Sequence, residues 1–92
     1  MPAGRPPLSK AQKLVLRTLG QNIARLRQQA GLTQEQLADL LGQHGDDDRR
    51  ANPDRVEVSR TETGDQNISV TRLIDYARAL DVTPNDLLAN TH

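Results

Sequence analysis

Thr33-Gln34-Glu35-Gln36-Leu37-Ala38-Asp39-Leu40-Leu41-Gly42 and Asp54-Arg55-Val56-Glu57-Val58-Ser59-Arg60-Thr61-Glu62-Thr63-Gly64 are the two stretches that decide the fold. The first reads as a short helix. Thr33 is its N-cap, Glu35 and Gln36 fill the positively polarised first turn, and Leu37, Leu40 and Leu41 face inward until Gly42 ends it. In the second stretch Asp54 caps and Glu57 reaches back to complete a capping box, with Asn52-Pro53 as a rival start two residues earlier. Val58 and Thr61 turn inward, so Arg55, Val56, Glu57, Ser59 and Arg60 lie toward solvent. Gln43 to Asn52, with the acidic run Asp46-Asp47-Asp48, separates the two helices.

The chain on either side is also helical. Ser9-Lys10-Ala11-Gln12 has the form of a capping box, and Leu14, Val15, Thr18, Leu19, Asn22, Ile23, Leu26 and Ala30 follow at steps of three and four. One helix over about 10 to 30 is expected, with Gly31 as its stop. Gly20 inside it costs roughly 1 kcal/mol against Ala, which makes a kink or break there the competing expectation. Downstream, Ser69 caps a helix with an apolar stripe of Val70, Leu73, Ile74, Ala77 and Leu80. Thr83-Pro84 opens a last one, and Leu87 and Leu88 close the core. No internal repeat and no strand-like alternation appears, so the fold class is all-α. The organisation expected is a flexible basic arm over 1–8, a helical extension over 9–19, a domain over 20–88 with an insertion at 43–52, and a tail at 89–92.

Composition narrows the function. A chain of 92 residues makes one domain, and at that size folding buries only about 60 to 65 % of the unfolded surface, which leaves little stability for a catalytic cavity. There is no Cys, Trp or Phe and a single Tyr, so the core is expected to be Leu, Ile, Val and Ala, with no disulfide or thiolate site. No nucleophile and base at supporting spacing and no glycine-rich phosphate loop after a strand is present, so neither an enzyme nor a cofactor is expected. His44 with Asp46, Asp47 and Asp48 reads as a solvated loop and not as a metal site. The N-terminus lacks an apolar signal segment and no apolar run is long enough to span a bilayer, so a cytoplasmic protein with no membrane contact is expected. The twelve basic and twelve acidic residues cancel, but unevenly. Residues 1–31 carry Arg5, Lys10, Lys13, Arg17, Arg25 and Arg27 with no acid, and residues 32–92 carry six Arg against all twelve acids. Polyanion binding follows the local field, so the basic end can dock phosphates while the acidic end points away.

Leu26-Arg27, Gly31-Leu32-Thr33-Gln34, Leu37-Ala38, Val58-Ser59-Arg60, Glu62-x-Gly64 and Ala79-Leu80-x-Val82 stand in one order. From Gly20 to Leu88 the chain thereby resembles the XRE family, the Cro and lambda-repressor type of helix-turn-helix proteins. The resemblance implies a compact five-helix domain that sets one helix across the DNA backbone and the next in the major groove. Here that domain would carry an extended N-terminal helix and a long loop between the two central helices. The implied function is that of a sequence-specific double-stranded DNA-binding transcriptional regulator, a repressor or autoregulator working as a homodimer on an inverted-repeat operator.

Carried onto this sequence, the base-reading residues are Arg55, Val56, Glu57, Ser59 and Arg60, where Arg grips guanine, Glu accepts from cytosine and Val touches a thymine methyl. Thr33 and Gln34 at the N-terminus of the second helix, and Gln66 and Asn67 after the third, are the expected phosphate contacts. Arg5, Lys10 and Lys13 are candidate arm contacts, and Arg27 with Glu62 matches an internal ion pair of the family. Leu8 to Leu19 together with Leu87 and Leu88 are the apolar surfaces available to a dimer. Two features depart from the family. It joins the central helices by about four residues, whereas Gln43 to Asn52 adds roughly ten, although stretching a closed loop about threefold costs only about 1 kcal/mol. Thr61 stands where a large apolar residue is usual, its methyl packing and its hydroxyl bonding back to the preceding turn. The alternative is an antitoxin-like or adaptor module in which loop 43–52 contacts a toxin-like or other protein partner.

Overall fold

The computed structural model describes residues 7–44 and 53–90. The described chain forms α1 (Lys10–Gln29), α2 (Gln34–His44), α3 (Arg55–Thr63), α4 (Val70–Leu80) and α5 (Pro84–Leu87), with no strand among the described residues. None of these helices is long and apolar enough to cross a membrane. Arg5, most of the acidic insertion and the last two residues lie outside the described residues.

The starts follow the caps. Ser9 Oγ accepts from the Gln12 amide at 3.1 Å while Gln12 Oε1 accepts from the Ser9 amide at 2.8 Å. Thr33 and Gln36 make the same reciprocal pair, at 3.0 and 2.9 Å, and Thr83 with Asp86 repeats it at α5. Asp54 is the cap of α3, its carboxylate accepting from the Glu57 amide at 2.9 Å, while Glu57 does not reach back. Each cap satisfies amides that the first helical turn leaves without carbonyl partners. α2 runs through Gly42 to His44 instead of stopping at the glycine, so two residues assigned to the insertion are helical. A glycine ends a helix only where the chain turns left-handed after it, and Gly42 keeps a negative φ.

α1 is one uninterrupted helix through Gly20. The residue is there for close approach and makes no kink. A Cβ at Gly20 would press into the Thr61 carbonyl oxygen and stand 2.5 Å from that of Glu62, so the backbones of α1 and α3 touch where they cross. The expected helical extension over 9–19 forms the first half of α1, where Leu16 and Leu19 are buried.

α3 packs against α1 and α2, α4 packs on α2, and α5 on α1 and α4. Ile23, Leu37, Leu41, Val58, Tyr76 and Leu87 are the largest fully enclosed side chains. Tyr76 is the largest of all, contrary to the expectation of a purely aliphatic core. On α4 the inward face is Leu73, Tyr76, Ala77 and Leu80; Val70 is 73 % exposed and Ile74 39 %, so the expected stripe is rotated toward Tyr76. Of the closing pair only Leu87 enters the core, and Leu88 is 37 % exposed. Asn22, placed by its spacing in the apolar stripe of α1, is buried as a polar clasp: its Nδ2 donates to the Leu87 and Ala89 carbonyls at 2.9 and 2.8 Å, taking up carbonyls that the end of α5 leaves open.

Gly20→Ala adds about 1 kcal/mol of helix propensity yet forces rigid backbone apart, so a net destabilisation of about 1 to 3 kcal/mol is expected in urea unfolding. A variant as stable as the parent would contradict the close contact.

Candidate nucleic-acid interface

α3 is short, with few apolar residues, and polar contacts join its one large core side chain, Val58, in holding it. Glu62 in its last turn receives Arg27 Nε at 2.6 Å and Nη2 at 3.2 Å, a forked ion pair with side chains only 12 % and 6 % exposed. Gln34 Nε2 donates to the same carboxylate at 2.9 Å, and Arg27 Nη1 donates to the Leu32 carbonyl at 2.8 Å. One carboxylate therefore joins α1, α2 and α3. Gln34 sits at the start of α2 with its amide turned to this knot, which fixes the first turn of α2 against α3.

Beneath α3 lies a second polar group. Thr61 is buried and its hydroxyl donates to the Glu57 carbonyl at 3.0 Å, the back-bond expected for this residue. The Tyr76 ring lies under it, and burial pushes the Tyr76 hydroxyl up to about 12, an effect that the Thr61 hydroxyl partly offsets. The Tyr76 hydroxyl makes no well-formed hydrogen bond among the described residues.

The outward face departs from expectation at one position. Glu57 was expected to face solvent; instead it is half-buried, its carboxylate 3.3 Å from Arg72 Nε of α4, and Arg72 also reaches Asp75 at 3.3 Å. Glu57 lies four residues, and so only about 40° of helix rotation, from the buried Thr61, so it flanks the buried face and a cation on α4 captures it. Arg55, Val56 and Arg60 are exposed and Ser59 is half-buried. Thr63, which the sequence reading passed over, completes the exposed stripe. Val56, Arg60 and Thr63 stand at i, i+4 and i+7, a spacing that would have found it. Arg55 and Arg60 pair with no carboxylate among the described residues.

The flanking residues fall around this stripe. Thr33 is exposed at the α2 cap, and Gln66 and Asn67 occupy the α3–α4 connection, where Asn67 Oδ1 accepts from the Ile68 amide at 3.0 Å. Gly64, left-handed at φ 81°, ends α3 with its Cα against the Arg17 backbone of α1, where a Cβ would come within 2.8 Å. Lys10 and Lys13 are exposed on α1. The arrangement is one exposed helix face with two uncompensated guanidinium groups, braced from behind, with polar loop and cap residues at its edges.

A protein-family model described as a helix-turn-helix domain matches residues 18–89. The chain belongs to that family. The match takes in all five helices except the first turns of α1, and the XRE-type resemblance read in the sequence holds. The fold is similar to that of the restriction-modification controller protein C.AhdI from Aeromonas hydrophila, with 36% identity and a TM-score of 0.66, over 78% of this chain and 94% of that one. It is also similar to the hypothetical transcription factor NHTF from Neisseria, with 28% identity and a TM-score of 0.68, over 96% of this chain and 85% of that one. A search of curated proteins finds no match.

Two outcomes are expected for the braces. Glu62→Ala leaves Arg27 buried without its partner and is expected to cost about 3 to 5 kcal/mol in denaturant unfolding; a loss within 1 kcal/mol would show that the knot does not hold α3. Tyr76 is the one tyrosine in the chain, so its ionisation can be followed directly by ultraviolet absorbance. Its folded value of about 12 lies above the ordinary 10.0, so its contribution is complete below pH 10 and is lost as pH rises from 10 to 12, by roughly 2 to 3 kcal/mol. A phenol titrating near 10 in the folded protein would contradict its enclosure.

Proposed function

We propose that the chain is a sequence-specific double-stranded DNA-binding transcriptional regulator that acts as a homodimer on an inverted repeat, as a repressor or autoregulator. The observation that carries the reading is the outer face of α3. Arg55, Val56 and Arg60 are exposed there, with both guanidinium groups unpaired among the described residues, on a helix braced through Glu62. In a major groove each Arg can give two hydrogen bonds to guanine O6 and N7, and Val56 can meet a thymine methyl. Ser59 serves at the edge of that surface. Glu57 accepts from cytosine only if it leaves Arg72.

Phosphates on either side would be held by the Thr33–Gln34 end of α2, where backbone amides and the helix dipole favour an anion, and by Gln66 and Asn67. The relation to a restriction-modification controller and to a hypothetical transcription factor supports regulation as the role. For the dimer, Leu87 is unavailable because it is fully buried; apart from Val56 on the reading face, Leu14 at 61 % exposure, Leu88, Val70 and Ile74 are the exposed large apolar side chains among the described residues. A second copy would bury some of them.

Selection from random duplexes is expected to enrich an inverted repeat with half-site centres about 34 Å apart, bound by a dimer in sedimentation. Arg55→Ala or Arg60→Ala should cost about 1 to 3 kcal/mol on that site and relax one base position. Equal losses on every sequence would remove the base-reading role. Enrichment of no motif would favour the protein-interaction module instead.

A further inference from the structure

The first turns of α1 lie ahead of the family match, which begins at residue 18. They carry Lys10, Lys13 and Arg17, all exposed, at i, i+3 and i+7 on one side of the helix. Like charges at these spacings repel and weaken a helix. No acid occurs in residues 1–31 to relieve them, and none of the three pairs with a carboxylate among the described residues.

Their position is set by α3. Gly64 brings the end of that helix onto the Arg17 backbone, and Lys13 and Arg17 line one cleft with Thr63, Gly64 and Asp65. Thr63 is the last member of the exposed stripe Val56–Arg60–Thr63, so the outer face of α3 runs directly into the cationic side of α1. The Asp65 carboxylate is turned to the Thr63 hydroxyl at 3.2 Å, and it forms no ion pair with Lys13 or Arg17.

We propose that Lys10, Lys13 and Arg17 form a second DNA-contacting surface, a shelf that holds backbone phosphates beside the segment read by α3. The inference rests on the DNA-binding reading above and extends its footprint to a part of the chain outside the family match. From Lys10 to Arg17 the helix advances about 10 Å, the length of about three base-pair steps at 3.4 Å each. The polyanion supplies the counter-charge that α1 lacks. Phosphate contacts carry no base information, so the shelf adds affinity and fixes orientation without changing the preferred sequence.

The test is the salt dependence of binding to a random-sequence duplex, by fluorescence anisotropy on the full chain. Removing two phosphate contacts with Lys13→Gln and Arg17→Gln should make the slope of log K against log salt shallower by about 2 per protomer. Lys13→Arg with Arg17→Lys should keep the parental slope, and the motif enriched by selection should be unchanged for both. An unchanged slope for the Gln variant overturns the shelf. So does a lowered melting temperature with that unchanged slope, which would mean that the two cations only offset the carbonyl end of α3. If the double variant fails to fold, Lys10→Gln with Lys13→Gln, both at exposed positions, reads the same slope. A shallower slope with no enriched motif would uphold the shelf and reject the sequence-specific reading. No binding to any duplex would reject both.

Discussion

The carboxylate of Glu62 is the point on which the orientation of α3 depends. It is shared by Arg27 and Gln34, and the three residues come from three helices. Leu and Val contacts attract without direction, so an apolar seam would let a helix of two and a half turns slide or roll. A forked guanidinium-carboxylate pair has one good geometry, and burial removes water as a substitute partner. The glycine contact works with it. Because Gly20 lets α1 touch the Thr61 and Glu62 carbonyls, Arg27, seven residues along α1, arrives opposite the Glu62 side chain.

The same logic explains why α3 has a polar underside. Val58 is its one large apolar core residue, and beside it stand Thr61 and Glu62, both buried. Tyr76 fills the volume that the smaller Thr61 leaves, and its ring supplies the apolar area that α3 itself does not. Arg72 ties α4 to the other flank of α3 through Glu57. That ion pair also takes an acid off the surface beside Arg55 and Arg60. A free carboxylate there would weaken the attraction of both guanidinium groups for phosphate.

Charge is distributed on the same plan. Arg27 and Arg72 are held in ion pairs and brace helices, whereas Lys10, Lys13, Arg17, Arg55 and Arg60 are exposed. A zero net charge therefore coexists with a cationic first third of the chain, because all twelve acids lie in residues 32–92.

The sequence determined by itself what depends on neighbours along the chain. Caps at Ser9, Thr33, Asp54, Ser69 and Thr83 and the stop at Gly64 could be read because a cap works within three residues, and the apolar spacing gave an all-α chain of five helices. The ordered motifs carried the family, and with it the pairing of Arg27 with Glu62. Tertiary structure decided what depends on contacts across helices. Gly20 reads as a weak point in isolation and becomes a crossing point only when α3 lies on it. Asn22 reads as part of a stripe until the end of α5 presents it with two carbonyls. Glu57 reads as outward until Arg72 approaches from α4, and Leu87 and Leu88 read alike until one is enclosed. Spacing fixes the angle of a side chain around its own helix, but which angles are buried is fixed by the helix that packs there.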